Sequence, residues 1–176
     1  MLTLEIPAIE ALSYRQKLLS NPETMAYNRG YKLDDPFYNS KTGCIFFPPE
    51  RWPAWYARWV GQEPERFYAY LMWKERPIGE ISLHRVEEAG VYEMGIVIDI
   101  RRRGKGYSRE GMGLLLEQAF DKMSATKVRN SFEPSRRAAL RIHREFGFEV
   151  IGKKDGIWTL ELTRETYYAR RAAKAE

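Results

Sequence analysis

The stretch from residue 67 to residue 123 constrains the fold most, because its hydrophobic period changes once along its length. Residues 67–73, 78–86 and 91–98 are rich in aromatic and β-branched side chains at a period of two, which predicts three consecutive antiparallel strands. Residues 108–123 change to helical spacing, which predicts an amphipathic helix. The apolar face of that helix consists of Met112, Leu115, Leu116, Ala119, Phe120 and Met123. We therefore expect a sheet with this helix packed against it.

The remaining elements are predicted to belong to the same domain. They are a strand near 2–6, helices over 9–20 and 49–60, a turn at 87–90, a strand over 126–133, a helix from Ser135 to Gly147, and a hairpin that turns at 154–156. No linker or internal repeat divides the chain. This order predicts one α/β domain over residues 1–165, with a mixed, mostly antiparallel sheet and flanking helices. A basic tail at 166–176 is expected to be frayed.

Composition excludes several classes of protein. With 176 residues the chain is long enough for one domain with a real core and short for two. Its single cysteine, Cys44, cannot form an internal disulfide, and no Cys/His cluster has metal-ligand spacing. The first sixteen residues do not combine a basic region with a following apolar run, so no signal peptide is expected, and no apolar run approaches the roughly 18 residues that cross a bilayer. We expect a cytoplasmic protein without a metal or a membrane anchor.

The charge is distributed unevenly between the two halves of the chain. Residues 1–100 hold 11 Lys and Arg against 14 Asp and Glu, a net charge of −3. Residues 101–176 hold 18 against 10, a net charge of +8. The second half is therefore expected to meet something anionic, either nucleic acid or a small phosphorylated ligand.

The sequence RRRGKGYS, Arg101 to Ser108, lies between a predicted strand and the first turn of the amphipathic helix. Glycines let the backbone turn sharply there, and the first helical N–H groups have no internal partners, so the junction can hold a phosphate. Ser108 is predicted to be the helix N-cap. Neither the Walker pattern nor the dinucleotide pattern G-x-G-x-x-G fits this stretch. A nucleic-acid surface is the alternative, although Tyr107 is the one aromatic residue among these charges.

The segment 103–108 resembles the acetyl-CoA loop of the GNAT acetyltransferases, [Q/R]-x-x-G-x-[G/A], with Ser108 at the last small position. Three neighbouring stretches are also similar to that family: YEMGIVID before the loop, GKGYSREGMGLLLEQAF, which begins in the loop and continues into the helix, and AALRIHREFGF farther along the chain. The resemblance covers residues 66–162. It is closest to the branch that acetylates protein N-terminal amines, including those of ribosomal proteins.

This resemblance implies a splayed sheet in which the arm of acetyl-CoA, the cosubstrate, lies between two strands. The implied cofactor-binding residues are Ile96, Val97 and Ile98 on the strand, Arg103, Gly104, Lys105, Gly106, Tyr107 and Ser108 on the loop, and Arg136, which stands where the family commonly has Asn. Arg109 is a further candidate for screening the phosphate charge. Homodimerisation is left open.

Acetyl transfer to an amine needs a proton acceptor, a hydrogen bond to the thioester oxygen and a proton for the leaving thiolate. Glu93 is the candidate base, acting directly or through water, with Glu80 as a weaker alternative; each is equally typical of a strand glutamate without a catalytic role. The backbone N–H of Ile96 would hold the oxygen. His143 lies four residues before Gly147, where many family members have a Tyr that protonates the leaving thiolate. The alternative is that His143 has no catalytic role.

The acceptor is expected to be a small-molecule or peptide amine. At pH 7, deprotonating an α-amine costs about 1 kcal/mol and deprotonating a lysine amine about 5 kcal/mol, which favours an α-amine. Helices within residues 9–60 are expected to form part of the acceptor site. Four aromatics of this segment either contact the acceptor or only pack in the core: Tyr27, Tyr31, Phe46 and Phe47. Two other functions stay open: a non-catalytic acyl-CoA-binding GNAT domain and a basic nucleic-acid-associated protein.

Overall fold

A computed structural model describes residues 1–86 and 88–174. Seven strands form one sheet in the order β1-β2-β3-β4-β5-β7-β6. The strands are β1 (Leu2–Glu5), β2 (Arg66–Trp73), β3 (Arg76–Arg85), β4 (Val91–Ile98), β5 (Lys127–Phe132), β6 (Glu149–Lys154) and β7 (Ile157–Thr163). Every neighbouring pair is antiparallel except β4 and β5, which run parallel. The predicted mixed, mostly antiparallel sheet is confirmed.

The helices fall where the hydrophobic period predicts them, with one addition at the C-terminus. They are α1 (Leu12–Leu19), α2 (Trp52–Trp59), α3 (Tyr107–Glu117), α4 (Arg137–Phe146) and α5 (Arg164–Ala173). The amphipathic pattern of α3 continues through a π-helical turn over Gln118–Lys122. The predicted turn at 87–90 begins at Glu87, which lies outside the described residues. The residues that flank this turn are joined by a hydrogen bond, in which the Val86 N–H donates to the Val91 carbonyl at 3.0 Å.

Helix α5 replaces most of the frayed tail that the sequence predicts. The Thr163 hydroxyl caps it by accepting the backbone N–H of Thr166 at 3.2 Å. The Tyr167 ring stacks on Phe120 with 4.7 Å between ring centroids, which anchors the helix to the end of α3. The prediction of a frayed tail was wrong for residues 166–173, which are helical because the aromatic side chains of the helix pack against the end of α3. Residues 175 and 176 of the predicted tail lie outside the described residues.

The two faces of the sheet are covered differently. Helices α3, α4 and α5 pack on one face around the main core, where Leu71, Ile81 and Leu115 are fully buried. Helices α1 and α2 pack on the other face over the first strands, where Trp55 meets Tyr68 edge-on with 4.7 Å between centroids. Trp55 is partly buried and packs against this second core.

Strands β4 and β5 pair only at their beginnings. Their register joins Val91 to Lys127, Tyr92 to Val128 and Glu93 to Arg129, and pairing ends there. Strand β4 continues to Ile98 and stays paired with β3 on its other side. Apart from the Ile98 carbonyl, which accepts Arg103 Nε at 3.1 Å, its edge toward β5 presents backbone N–H and C=O groups with no partner among the described residues, which a ligand with amide groups can use. This separation of the strands positions the site.

Candidate active site

A cleft of about 570 Å³ opens where β4 and β5 separate. Its walls come from the second half of β4 (94–98), from Asn130 and Ser131 on β5, from α3 and α4, and from the N-terminal segment 27–33. This volume is ordinary for a small-molecule site. The structure therefore brings the predicted strand residues Ile96, Val97 and Ile98 into one cavity with Arg103, Ser108, Arg136 and His143.

The loop before α3, residues 104–108, leaves its backbone N–H groups accessible to a ligand. Gly104 and Gly106 have φ of +77° and +81°, a conformation in which a side chain is strained, and a Cβ added at either would meet nothing within 4 Å. Among residues 1–86 and 88–174, no acceptor takes the backbone N–H groups of residues 104–108. These free donors and the positive end of the α3 dipole point to an anion, as the sequence predicts.

Helix α3 begins two residues earlier than expected. Gly106, not Ser108, occupies the N-cap position, and Ser108 lies inside the first turn. The N-cap prediction for Ser108 was wrong because the left-handed glycine makes the turn without a side-chain cap. With Gly104 and Gly106 as the two small residues, the acetyl-CoA loop pattern begins at Arg101 and contains no mismatch.

The cations around the loop divide into paired and unpaired groups. Arg101 pairs with Asp99 at 2.6 Å, and Arg109 pairs with Glu145 at 2.8 Å, so both charges are partly neutralised. Lys105 is exposed on the loop. The Arg103 side chain turns back across the cleft, where Nε donates to the Ile98 carbonyl at 3.1 Å and Nη2 donates to the Thr24 carbonyl at 2.8 Å.

Glu93 lies at the fork of the two strands rather than in the cleft wall. Its carboxylate meets His84 Nε2 at 3.2 Å, and 52% of its side chain is exposed. The hydrogen bond from His84 holds the pKa of Glu93 below its usual value, so the carboxylate is ionised at neutral pH. Because side chains alternate along a strand, Glu93 shares a face with Gly95, which lines the cleft two residues later. A water molecule can bridge the Glu93 carboxylate and a group bound in the cleft.

Glu80, the weaker candidate, is buried in a structural cluster. Its carboxylate receives Arg15 Nη1 on one oxygen and the Tyr68 hydroxyl on the other, at 2.5 Å. The Arg15 guanidinium stacks on the Trp55 ring with 4.3 Å to the ring centroid. Glu80 does not line the cleft. With both carboxylate oxygens engaged, its geometry does not favour a role as base.

His143 borders the cleft, but its side chain is engaged on both sides. Only 2% of the residue is exposed, and Phe132 and Phe148 flank the ring. Nδ1 lies 2.8 Å from the Ala139 carbonyl, so it carries the proton, and Nε2 accepts from the Asn130 amide at 3.0 Å. Burial lowers the pKa of His143 to about 4. A neutral ring with no free proton does not favour the predicted acid role.

Asn130, a residue without a predicted role, links β5 to α4 at the cleft. Its amide oxygen accepts the backbone N–H of Ser131 at 2.9 Å, which leaves the amide nitrogen for His143. No spacing signal in the sequence marks this residue. Of the four predicted aromatics, Tyr27 and Tyr31 line the cleft, whereas Phe47 is buried and Phe46 is exposed.

The described part of the chain holds no cluster of three His, Cys, Asp or Glu side chains that could bind a metal ion. Nor does any helix within it combine the length and apolarity of a membrane span.

Solved structures of similar fold include two enzymes with CoA bound. The spermidine N-acetyltransferase from Vibrio cholerae, in complex with CoA and spermine, has a TM-score of 0.75 at 17% identity, covering 95% of this chain and 98% of that chain. The aminoglycoside acetyltransferase AAC(6')-Ib, in complex with coenzyme A and kanamycin, has a TM-score of 0.71 at 19% identity, covering 97% and 99%. At these identities the likeness establishes the fold.

A third similar structure is an acetyltransferase of the GNAT family from Bacillus anthracis, with a TM-score of 0.69 at 16% identity, covering 93% of this chain and 95% of that chain. No curated protein sequence matches the chain significantly. The model of the acetyltransferase (GNAT) domain family matches residues 2–149, which is most of the chain. The match spans the loop, the separated strands and the cleft, and on this evidence the chain belongs to the GNAT family of acetyltransferases.

Proposed function

We propose that this protein transfers the acetyl group of acetyl-CoA to a primary amine by direct attack, without a covalent enzyme intermediate. One observation carries the proposal: the open edge of β4 leads directly into a loop whose N–H groups at 104–108 have no acceptor within the described residues. The edge suits the amide groups of the pantetheine arm, and the loop suits the pyrophosphate. Lys105 on the loop adds a positive charge.

The reacting end of the cofactor would lie near the fork, where β4 and β5 separate. There the N–H of Ile96 is proposed to hold the thioester oxygen as it gains charge. The amine nitrogen attacks the carbonyl carbon, its proton passes through water to the Glu93 carboxylate, and the carbon–sulfur bond breaks. Because His143 is neutral and hydrogen-bonded, we expect the leaving thiolate to take its proton from solvent.

The acceptor is proposed to be an α-amine, on a peptide or a small molecule. Two points support this class. An α-amine is neutral more often at pH 7 than a lysine amine, which suits a site whose base acts through water. The resemblance of GKGYSREGMGLLLEQAF to enzymes that acetylate protein N-terminal amines points the same way. The similar structures bind spermine and kanamycin, so small amines belong in any test.

The test is thiol release from acetyl-CoA in the presence of a panel of primary amines, with mass spectrometry of the products. The panel contains peptides with free and blocked N-termini, spermine, kanamycin and lysine blocked at its α-amine. We expect thiol release that depends on an amine and a product heavier by one acetyl group. CoA binding without turnover on any amine would contradict the proposal and favour a non-catalytic acyl-CoA-binding domain.

A further inference from the structure

Two arginine side chains, those of Arg103 and Arg136, line the cleft without an acidic partner among the described residues. The Arg136 guanidinium lies over the Tyr27 ring with 4.9 Å to the centroid. Burial, and then the charge of Glu80, raise the pKa of Tyr27 to about 12, and the charges of Arg136, Arg15 and Arg103 oppose this rise. Within residues 1–86 and 88–174, neither Arg103 nor Arg136 forms an ion pair, whereas Arg101 and Arg109 both do.

This pair of charges is unfavourable as it stands. Partial burial, and then the charge of Arg136, hold the pKa of Arg103 below its usual value. Among the described residues that line the cleft, none is acidic. The nearest carboxylate along the chain, Glu133, already accepts the Tyr31 hydroxyl at 2.5 Å. Two positively charged side chains in one cleft that has no acidic lining residue among those described indicate that an anion from outside binds there.

The cofactor phosphates have a separate set of donors. The N–H groups of 104–108 stand at the start of α3, which packs on one face of the sheet. The Arg103 guanidinium instead reaches the Thr24 carbonyl, and Tyr27 packs in the cluster on the opposite face, with Leu12 and Phe47. The two arginines are thus held toward the N-terminal segment rather than toward the loop. Arg103 keeps donors to spare after its two carbonyl bonds, and Arg136 keeps donors to spare after the hydrogen bond that it gives the Tyr31 hydroxyl.

From this placement we propose that Arg103 and Arg136 bind a carboxylate of the acceptor, so that the substrate is a primary amine that carries a carboxylate, as in an amino acid or a short peptide. The inference rests on the proposed function and makes it more specific. A planar guanidinium matches a carboxylate with two parallel hydrogen bonds, and two guanidiniums fix its orientation. Leu33 and Ile142 add apolar contacts in the same cleft.

The same charges disfavour a polycationic acceptor. A molecule with several ammonium groups would meet Arg103, Arg136 and Arg137 in the cleft wall with no carboxylate from the described lining to balance them. Spermine and kanamycin, which bind to the similar structures, are therefore expected to be poor substrates here.

The experiment uses matched acceptors and matched variants of the full chain. Amino acids and dipeptides are each compared with their own carboxamides in the thiol-release assay. Calorimetry measures the binding of the same acceptors to the CoA complex, and of CoA and dephospho-CoA to the free protein. The variants are Arg136→Gln and Arg103→Gln, with Arg141→Gln as a control that removes the same charge from an exposed position of α4 outside the cleft.

We expect wild type and Arg141→Gln to prefer the carboxylates. Each cleft variant should lose about 10- to 100-fold in kcat/KM and in binding for carboxylates, and little for carboxamides, with unchanged CoA affinity. Equal turnover of carboxylates and carboxamides by the wild type would overturn the inference and leave the acetyltransferase function standing. Weaker CoA binding in the variants, with the acceptor preference intact, would assign both arginines to the cofactor instead. If no amine of any kind is acetylated, both the proposed function and this inference fail.

Discussion

Two arginine sites in this molecule are built in opposite ways. Arg15 stacks on Trp55 and is neutralised by Glu80, which also receives the Tyr68 hydroxyl. Arg136 likewise stacks on an aromatic ring, that of Tyr27, but it has no acidic partner among the described residues. The first site is buried, with 14% of the Arg15 side chain and 9% of the Glu80 side chain exposed, and the second lines the cleft.

The difference separates a structural charge from one available to a ligand. A buried cation without a carboxylate costs several kcal/mol, so Arg15 and Glu80 must be present together. Beside an open cleft the cost is smaller because water reaches the charge, and an unpaired arginine can persist until an anion binds. The same contrast holds for backbone groups: those of β3 and the first half of β4 are paired, and those of the loop 104–108 are free.

The largest expected effect comes from breaking the closed site. Arg15→Gln leaves the Glu80 carboxylate buried without its cation, and we expect the free energy of unfolding to fall by about 3–5 kcal/mol in urea denaturation. The double variant Arg15→Gln/Glu80→Gln should recover part of this loss, because no charge is then left uncompensated. A single variant as stable as the wild type would show that the pair does not support the fold.

Glu93 tests whether the fork of the two strands carries the chemistry. Glu93→Gln removes the proton acceptor, so we expect kcat to fall about 10²-fold or more, with unchanged CoA affinity. Glu65→Gln is the control, since Glu65 is an exposed carboxylate paired with Arg85 at 2.8 Å. Turnover of Glu93→Gln at the rate of the parent between pH 6 and pH 9 would remove Glu93 from the mechanism.

His143 predicts a dependence of stability on pH. Its pKa is about 4 in the folded chain and near 6.5 when unfolded, so the unfolded state binds more protons between these values. Its contribution is present above pH 6.5 and is lost as the pH falls toward 4, by about 2 kcal/mol between pH 7.5 and pH 5. Urea denaturation should show this loss in the wild type and not in His143→Gln. An identical pH dependence in both proteins would contradict the burial of a neutral ring.

The smallest effect on stability is expected at the open arginine site. Arg136→Gln should change the free energy of unfolding by less than about 0.5 kcal/mol, because no ion pair is lost. It may be compared directly with Arg15→Gln under the same conditions. A loss at Arg136 as large as that at Arg15 would mean that both arginines are structural, and the distinction between the two sites would disappear.

Local signals made much of the fold predictable. The hydrophobic period of the sequence predicts strands β2 to β4 and helix α3, because the buried face of each element is defined by its own residues. The loop was predictable because Gly104 and Gly106 allow a conformation that few other residues adopt. In both cases the information lies within a few residues of the feature.

The parts that sequence reasoning missed depend on distant residues. The burial of His143 comes from Phe132 and Phe148, and its neutral state comes from Asn130, none of which a count back from Gly147 can reveal. The arginine site joins Arg136 to Tyr27, more than a hundred residues away. Helix α5 forms because Tyr167 finds Phe120. Such contacts become visible only when the chain is folded.

The central claim is that the loop before α3 holds the cofactor, and calorimetry of CoA binding tests it most directly. Gly106→Glu places a negative charge in the open space before the free N–H groups, and Gly61→Glu makes the same change at another glycine with positive φ and open surroundings. Both carry the same backbone strain, so they differ only in their distance from the loop. The account predicts that Gly106→Glu weakens CoA binding by at least about tenfold while Gly61→Glu binds as the wild type does. Equal CoA affinity in all three proteins would contradict the account.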